Sequence, residues 1–474
     1  MSTPTLIARL VDLLGESAVL RTQADMAGYT EDWRGRYKGQ AACVVLPASV
    51  QQVSDVVRLC TDQGVPILPQ GGNTSLCGGA VPDANGTAPV IINLSRMNRI
   101  RNLDAANNSI EVEAGCVLAT VQQAAAEQGR LYAVSLGAEG SCQIGGNIAT
   151  NAGGTGVLRY GNTRENVLGL EVVLPDGSIW NGLKTLRKDN TGLDLKHLFI
   201  GTEGTLGVIT AATLKLHPLP LAHSMAWVAP VDPKAALALL GRCQARFGAK
   251  LTAFEMIDSN QMDIVLEYVP GRRNPLAKSY PWHLLIELSD SHAVNSDDDE
   301  LLELLDLAMT QGLVADATLA TSQAQRHAMW ELRHSVSEGN KKAGVGLTSD
   351  TAVPVSAVPQ FIHDATAAVQ AIVPGLKVVI VAHLGDGNVH FIPFFSFDQW
   401  QALADQGATA QAIRRSVNDV AHSLGGTFSA EHGVGRTLLP EMQHYKSPVE
   451  LAMMHAVKQA LDPGNLLNPG RLLP

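Results

Sequence analysis

Glycine is crowded into one stretch of this chain. Sixteen of its 44 glycines fall between Gly64 and Gly161, among apolar and β-branched segments. Such a density calls for tight turns, backbone at positive φ, or backbone pressed against a ligand. Just ahead of it the sequence reads as strand, helix, strand. Residues 41–47 (AACVVLP) are an apolar run stopped by a proline. Residues 49–64 carry apolar side chains at helical spacing and close on a glycine, and residues 65–70 (VPILPQ) form a second apolar run. A strand–helix–strand unit that runs into a glycine-rich loop is where an α/β fold ordinarily receives a phosphate.

Three glycine blocks carry this signal: QGGNTSLCGG at 70–79, LGAEGSCQIGGNIATNAGGTGVLRYG at 136–161, and FIGTEGTLGVIT at 199–210. Consecutive glycines let several N–H groups converge on one anion and let a pyrophosphate come close. The candidate cofactor residues are Pro69, Gln70, Gly71, Gly72, Asn73, Thr74 and Ser75 in and before the first block. The second block offers Gly137, Ala138, Ser141, Gly145, Gly146, Asn147, Thr150, Asn151, Gly153 and Gly154, and the third Gly204, Gly207, Val208 and Ile209. Any one block could be a turn; three together point to a ligand. None opens a helix as GxGxxG with an acid ~20 residues on, which excludes a Rossmann nicotinamide site.

The chain's 474 residues leave room for two or three domains, and 46% hydrophobic with 17% charged residues excludes general disorder. A net charge of −10 argues against nucleic acid or an anionic membrane as the main partner. No apolar run approaches the ~18 residues of a membrane span. The opening MSTPTLIARLVDLLG reads as an amphipathic surface helix, not a signal peptide, so a cytoplasmic location is expected. The six cysteines form no CxxC pair, which fits a reducing compartment.

From residue 88 to 216 strand-like runs alternate with turns, and Asp176-Gly177 marks a hairpin. Beyond Pro218 the texture changes to repeated strand–helix–strand units, with residues 297–300 (DDDE) expected as a solvated, acidic helix start. The closing LDPGNLLNPGRLLP cannot continue a helix and is expected to lie as a turn-rich strap. These shifts divide the chain into domains at 1–218, 219–424 and 425–474.

The sharpest local pattern is VVIVAHLGDGNVHFIPFF. An apolar strand ends at His383, and Asp386-Gly387 reads as a two-residue hairpin turn. Counting outward from that turn sets His383 directly across from His390, with Cβ atoms ~5 Å apart. Two imidazoles so placed can share a divalent cation; the alternative is two strand histidines satisfied by hydrogen bonds. The Gly-flanked loop SAEHGVGR offers Glu431 as a third ligand and places His432 beside it.

Together the segment 33–38, the three glycine blocks, the two histidine motifs and the terminal strap resemble the FAD-binding oxidoreductases of the vanillyl-alcohol-oxidase/p-cresol-methylhydroxylase superfamily. Within it, the chain is similar to the branch of D-2-hydroxyglutarate, D-lactate and glycolate dehydrogenases. The resemblance implies an α+β architecture: a p-cresol-methylhydroxylase-type FAD domain of two α/β subdomains, a cap domain with an open antiparallel sheet covered by helices, and a C-terminal segment returning to the FAD domain. Relatives with covalent flavin carry a histidine where this chain has Asn73, so non-covalent FAD is expected. Cys142 is read as a small buried thiol, and Asn468 of the strap joins the cofactor residues.

The same resemblance implies that His383, His390 and Glu431 bind a divalent metal, zinc by preference, and that His432 is the base, an imidazole whose ordinary pKa near ~6.5 suits that task. Arg333 matches the arginine that clamps a substrate carboxylate, and Ser337 and Asn388 join the substrate set. Two positions depart from the hydroxyglutarate pattern: Thr348 stands in place of a lysine and Ile392 in place of an asparagine. Both changes remove polar partners for a second carboxylate, which points to a smaller or more apolar 2-hydroxy acid. Lys341 and Lys342 read as exposed helix-end residues. The expected activity is oxidation of a D-2-hydroxy acid by hydride transfer to FAD, with an electron-transfer flavoprotein, a quinone or a dye as acceptor and a homodimer as a possible assembly. An oxidase using dioxygen and a non-catalytic flavin subunit of a larger complex are the alternatives.

Overall fold

Ser49 starts the first long helix of the glycine-rich half. Its Oγ accepts the N–H of Gln52, the helix runs Val50–Asp62, and Gly64 at φ 62° turns the chain into the strand Ile67–Gln70. The computed structural model describes residues 3–292 and 297–474. The N-terminal reading as a helix holds for Thr3–Leu14; Met1 and Ser2 lie outside the described residues. Two compact units form. One comprises the chain up to Gly154, Gly161–Leu219 and Glu431–Pro474; the other comprises Thr155–Tyr160 and Pro220–Ala430.

In the first unit the strand–helix–strand reading is realised with one insertion. The strand Val90–Asn93 lies between Cys43–Val45 and Ile67–Gln70 and runs parallel to both, while Val19–Leu20 closes the sheet antiparallel to Cys43–Val45. A five-stranded antiparallel sheet follows, with Val208–Lys215 between Ser109–Glu113 and Val167–Val173. Its hairpin turns at Asp176-Gly177 as read, with Gly177 at φ 80° and Val173 opposite Ile179. The terminal strap takes the free edge of Ile67–Gln70: Ile67 donates its N–H to Leu466 O, and Asn468 donates to Ile67 O, both at 2.8 Å. Leu467 is buried as a result. No disulfide forms among the six cysteines, all of them buried.

The second unit is built on an eight-stranded sheet whose pairs are all antiparallel. Leu251–Asp258, Lys377–His383 and Asn388–Phe395 are consecutive neighbours in it, and Ser349–Ala352 pairs with the last of these. The helices Pro233–Phe247, Asp298–Thr310, Val358–Ile372 and Gln406–Ser423 pack their apolar sides on one face, in a core that includes Phe254, Phe361 and Phe391. The opposite face is apolar over part of its area, through Ala253, Ile257 and Val381, where Ser259–Tyr268 and Gln323–His334 cover it. Those two helices are additions to the sequence reading, whereas Val336–Ala343 carries Lys341 and Lys342 in its last turn as read. The acidic helix start is only partly solvated: Asp298, Asp299 and Glu300 open the helix Asp298–Thr310, but Asp297 is buried against Lys250 Nζ at 2.8 Å. The solvated carboxylate expected there gains a cation instead. Among the described residues no helix is long and apolar enough to cross a membrane.

Phe361 and Phe391 meet edge-on at 5.8 Å, both fully buried. Phe361→Ala should therefore cost the second unit about 3–5 kcal/mol in urea unfolding followed by tryptophan fluorescence. A loss under ~1 kcal/mol would mean that the core collapses into the gap.

Candidate active site

Within the first unit the three glycine blocks converge, the second of them over residues 136–154. A Cβ added at Gly72 would lie 2.2 Å from Ser141 O, and one at Gly71 would lie 3.6 Å from Gly146 N. The first and second blocks thus touch backbone to backbone, and only glycine allows that approach at position 72. The third block closes on both: Glu203 donates its N–H to Ala149 O at 2.8 Å, and Gly204 packs on Pro69. Gly145, Gly146 and Asn147 lie on the short helix Ile144–Ala149, followed by Thr150 and Asn151. Gly207 packs against Val172, and Val208 and Ile209 begin the strand Val208–Lys215. Asn468 Nδ2 donates to Glu203 O at 2.7 Å and to Gly79 O at 3.2 Å, which brings the strap to the first and third blocks.

Side chains here divide into braces and open groups. Gln70 Nε2 donates to Tyr29 O and Ala80 O, and Asn73 Nδ2 to Gly28 O and Glu31 O. Both NH2 groups are committed to backbone carbonyls rather than to a ligand. Thr150 Oγ1 donates to Gly146 O, Asn151 Oδ1 accepts from Arg164 N, and Ser75 Oγ accepts from Cys77 N. Thr74, Ala138 and Gly153 are half-buried nearby in the chain, and Gly154 packs on Ser135 O. In contrast, Gln143 Oε1 and Asn147 Nδ2 are buried with no hydrogen-bond partner among the described residues. A Cβ on Gly137 or Gly146 would meet nothing within 4 Å. Cys142 is buried, and burial pushes its thiol up, which suits packing rather than a tether.

The loop after Ala430 also belongs to this unit. Glu431 and His432 come within 3.6 Å of each other. The next residues are anchored to two of the glycine blocks: Val434 and Gly435 donate their N–H groups to the Glu203 carboxylate at 2.7 and 2.8 Å, and Arg436 N–H to Cys77 O at 3.0 Å.

In the second unit the histidine hairpin differs from the sequence reading by its register. His383 lies across from Asn388, and Val381 across from His390. The tight turn needs positive φ at both central residues. Gly387 takes φ 86°, but Asp386 stays at negative φ. A four-residue loop forms instead, with Asp386 and Gly387 both donating N–H groups to His383 O. The two histidines are therefore diagonal neighbours rather than a direct pair. They still share a face, with ring centroids 5.4 Å apart and edge-on.

Two carboxylates that the sequence reading did not assign flank them. Glu255 lies across the ladder from His383 and accepts its Nδ1–H on Oε1 at 2.7 Å. Arg333, at the end of its helix, reaches the same carboxylate at Oε2, with Nε at 2.8 Å and Nη2 at 2.7 Å. Burial alone would push the Glu255 carboxyl up; the His383 ring and the Arg333 guanidinium overcome this and hold it at about 2. On the other side Asp350 lies across from His390, with 3.8 Å between Oδ1 and Nδ1, and takes an N–H from Asn388 Nδ2 at 3.1 Å. Ala430 N–H donates to Asp350 O at 3.0 Å. An acid in the middle of the apolar run LTAFEMI was the available signal for Glu255. Of the remaining substrate candidates, Ser337 and Thr348 are exposed, and Ile392 is buried among Ile264, Val379 and Phe394. Lys342 pairs with Glu338 at 2.6 Å, as an exposed helix-end lysine would.

Residues 220–472 match the family described as FAD linked oxidases, C-terminal domain, and residues 41–182 match an FAD binding domain. The chain is 36% identical over 463 residues to the mitochondrial D-2-hydroxyglutarate dehydrogenase of Arabidopsis thaliana, covering 98% of this chain and 80% of the relative. It is likewise 36% identical over 457 residues to the D-2-hydroxyglutarate dehydrogenase of Xanthomonas citri pv. viticola, covering 96% and 94%. A putative mitochondrial D-lactate dehydrogenase of Schizosaccharomyces pombe is 32% identical over 470 residues, covering 97% and 86%. Among solved structures, p-cresol methylhydroxylase superposes with a TM-score of 0.77 at 17% identity, covering 99% of this chain and 96% of the other. That likeness shows the fold.

The first unit's residues fit the dinucleotide. FAD is rich in carbonyl, hydroxyl and phosphate groups, and can satisfy the orphaned Gln143 and Asn147 atoms beside the open faces of Gly137 and Gly146. Gly72→Ala should consequently yield protein with little or no bound FAD, read as the ratio of visible flavin absorption to protein absorption. Full flavin content would show that the Ser141 backbone can yield to a Cβ.

Proposed function

The chain belongs to the family of FAD linked oxidases, and on that premise we propose that it is an FAD-dependent dehydrogenase of D-2-hydroxy acids that works with a divalent cation, zinc by preference. The observation that carries this reading is the face of the second unit on which His383 and His390 stand side by side, with Arg333 gathered onto the carboxylate that orients His383. With Nδ1 of His383 turned to Glu255, Nε2 is the ring nitrogen left to ligate a metal once the ring is neutral. Glu431 follows in sequence directly after Ala430, and the pattern His–His–Glu makes it the third ligand of the proposal.

When bound, FAD supplies the hydride acceptor and the cation a Lewis acid for the substrate hydroxyl. The chain's own groups do the rest. Arg333 holds a substrate carboxylate through the part of its guanidinium not committed to Glu255. His432 takes the hydroxyl proton on its imidazole. The glycine blocks hold FAD without a covalent bond, since Asn73 stands where a tethering histidine would and its amide is spent on Gly28 and Glu31.

Relatives are named for D-2-hydroxyglutarate and for D-lactate. Thr348 is exposed and Ile392 sits in an apolar cluster, so neither provides the partner a second carboxylate needs. A smaller or more apolar D-2-hydroxy acid is the substrate class this favours. An electron-transfer flavoprotein or quinone then receives the electrons, in a cytoplasmic setting by the sequence reading, although several relatives are named as mitochondrial.

An anaerobic panel of D-lactate, D-malate, D-2-hydroxyglutarate and longer apolar 2-hydroxy acids tests the reading. At least one should bleach the flavin, with D-lactate or an apolar acid ahead of D-2-hydroxyglutarate. A flavin that none of them reduces would leave the non-catalytic subunit as the function. His383→Ala should lower kcat by about 100-fold or more with FAD content unchanged; loss of FAD on that change would assign the histidine a structural role.

A further inference from the structure

Glu255 sits where two chemically different tasks meet. It lies in the middle of the strand Leu251–Asp258, 2% exposed, and its two oxygens face different partners. Oε1 accepts from His383 Nδ1 at 2.7 Å, whereas Oε2 accepts from Nε and Nη2 of Arg333 at 2.8 and 2.7 Å.

We propose that Glu255 is a positioning residue which fixes the spacing between the group that reads the substrate carboxylate and the histidine that holds the metal. The inference rests on the roles given above to Arg333 and His383, and adds to them that one carboxylate sets their geometry. A 2-hydroxy acid carries its carboxylate and its hydroxyl on neighbouring carbons. A clamp and a metal ligand that serve this unit must keep a constant short separation, and an error of about 1 Å is costly in rate. Two independently mobile side chains would not hold that separation.

Glu255 holds it in two ways. Its bond to Nδ1 stops the His383 ring from turning and selects the tautomer whose lone pair is on Nε2. Its hold on the Nε and Nη2 side of Arg333 sets the guanidinium plane and leaves Nη1 as the end that meets a substrate. A carboxylate present merely to neutralise a buried arginine would need no contact with the histidine.

The test compares Glu255→Asp, Glu255→Gln and His383→Ala in the full-length protein loaded with FAD. Zinc affinity is measured by competition with a chromophoric chelator, alongside KM and the unfolding midpoint. Glu255→Asp keeps the charge for Arg333 but is one methylene short of reaching both partners. It should unfold like the parent while its zinc affinity falls roughly 10–100-fold and its KM for the 2-hydroxy acid rises. Glu255→Gln should show the same losses if it folds.

Parental zinc affinity and KM in Glu255→Asp, with zinc affinity lost in His383→Ala, would overturn the positioning role alone. Parental zinc affinity in His383→Ala would overturn the metal reading and this inference with it. Should neither Glu255 variant fold, nitrogen NMR of histidine-labelled parent protein decides: the proton of His383 belongs on Nδ1, and a proton on Nε2 overturns the proposal.

Discussion

Taking a carboxylate out of water costs on the order of several kcal/mol, and a sheet interior can hold one only when donors surround it. At Glu255 the donors come from two places: a histidine on the neighbouring strand and an arginine on a covering helix. This constraint orders the polar cluster on that face of the second unit. The face that carries Ala253, Ile257 and Val381 beneath its helices changes character at Glu255, His383 and His390, the adjoining residues of that same face. Apolar packing on both sides of Glu255 along its strand holds the register that brings these polar groups together.

The first unit meets a different constraint, the closeness of backbone to backbone. Loops that pass within contact of each other need positions without a side chain, and Gly72 against Ser141 is the tightest of these among the candidate cofactor residues of the first block. Such loops have few side chains with which to anchor themselves. The anchoring is done from outside: Gln70 and Asn73 grip neighbouring carbonyls, Asn468 on the strap ties Gly79 to Glu203, and the Glu203 carboxylate holds the backbone at Val434 and Gly435. The C-terminal strap thereby helps to hold the glycine blocks in place, although it lies far from them in sequence.

Much of this architecture is legible in the amino-acid sequence. The helix Val50–Asp62 declares itself by its serine cap and terminal glycine, and the strand–helix–strand units beyond Pro218 by a change of hydrophobic period. The hairpin at His383 is legible as a hairpin but not in its register, because Asp386-Gly387 is compatible with more than one loop and the choice depends on what surrounds it. Here Gly387 packs against Val353 O, and Val353 N–H donates to Gly387 O. These contacts come from a different segment of the chain and leave no trace in the local sequence. Asp297 shows the same limit: its acidic neighbours suggest solvent, while a lysine 47 residues earlier supplies a partner.

Sequence alone determined where the backbone must be bare, where helices begin and end, and which histidines could share a face. Each of these follows from the φ range, the cap or the alternation of a few consecutive residues. Tertiary structure alone decided that Glu255 meets His383 across 128 residues of chain, that Arg333 shares the same carboxylate, and that Asp350 stands across from His390. Those pairings follow from strand order and helix docking, which depend on the burial of the whole sheet rather than on any local run of residues.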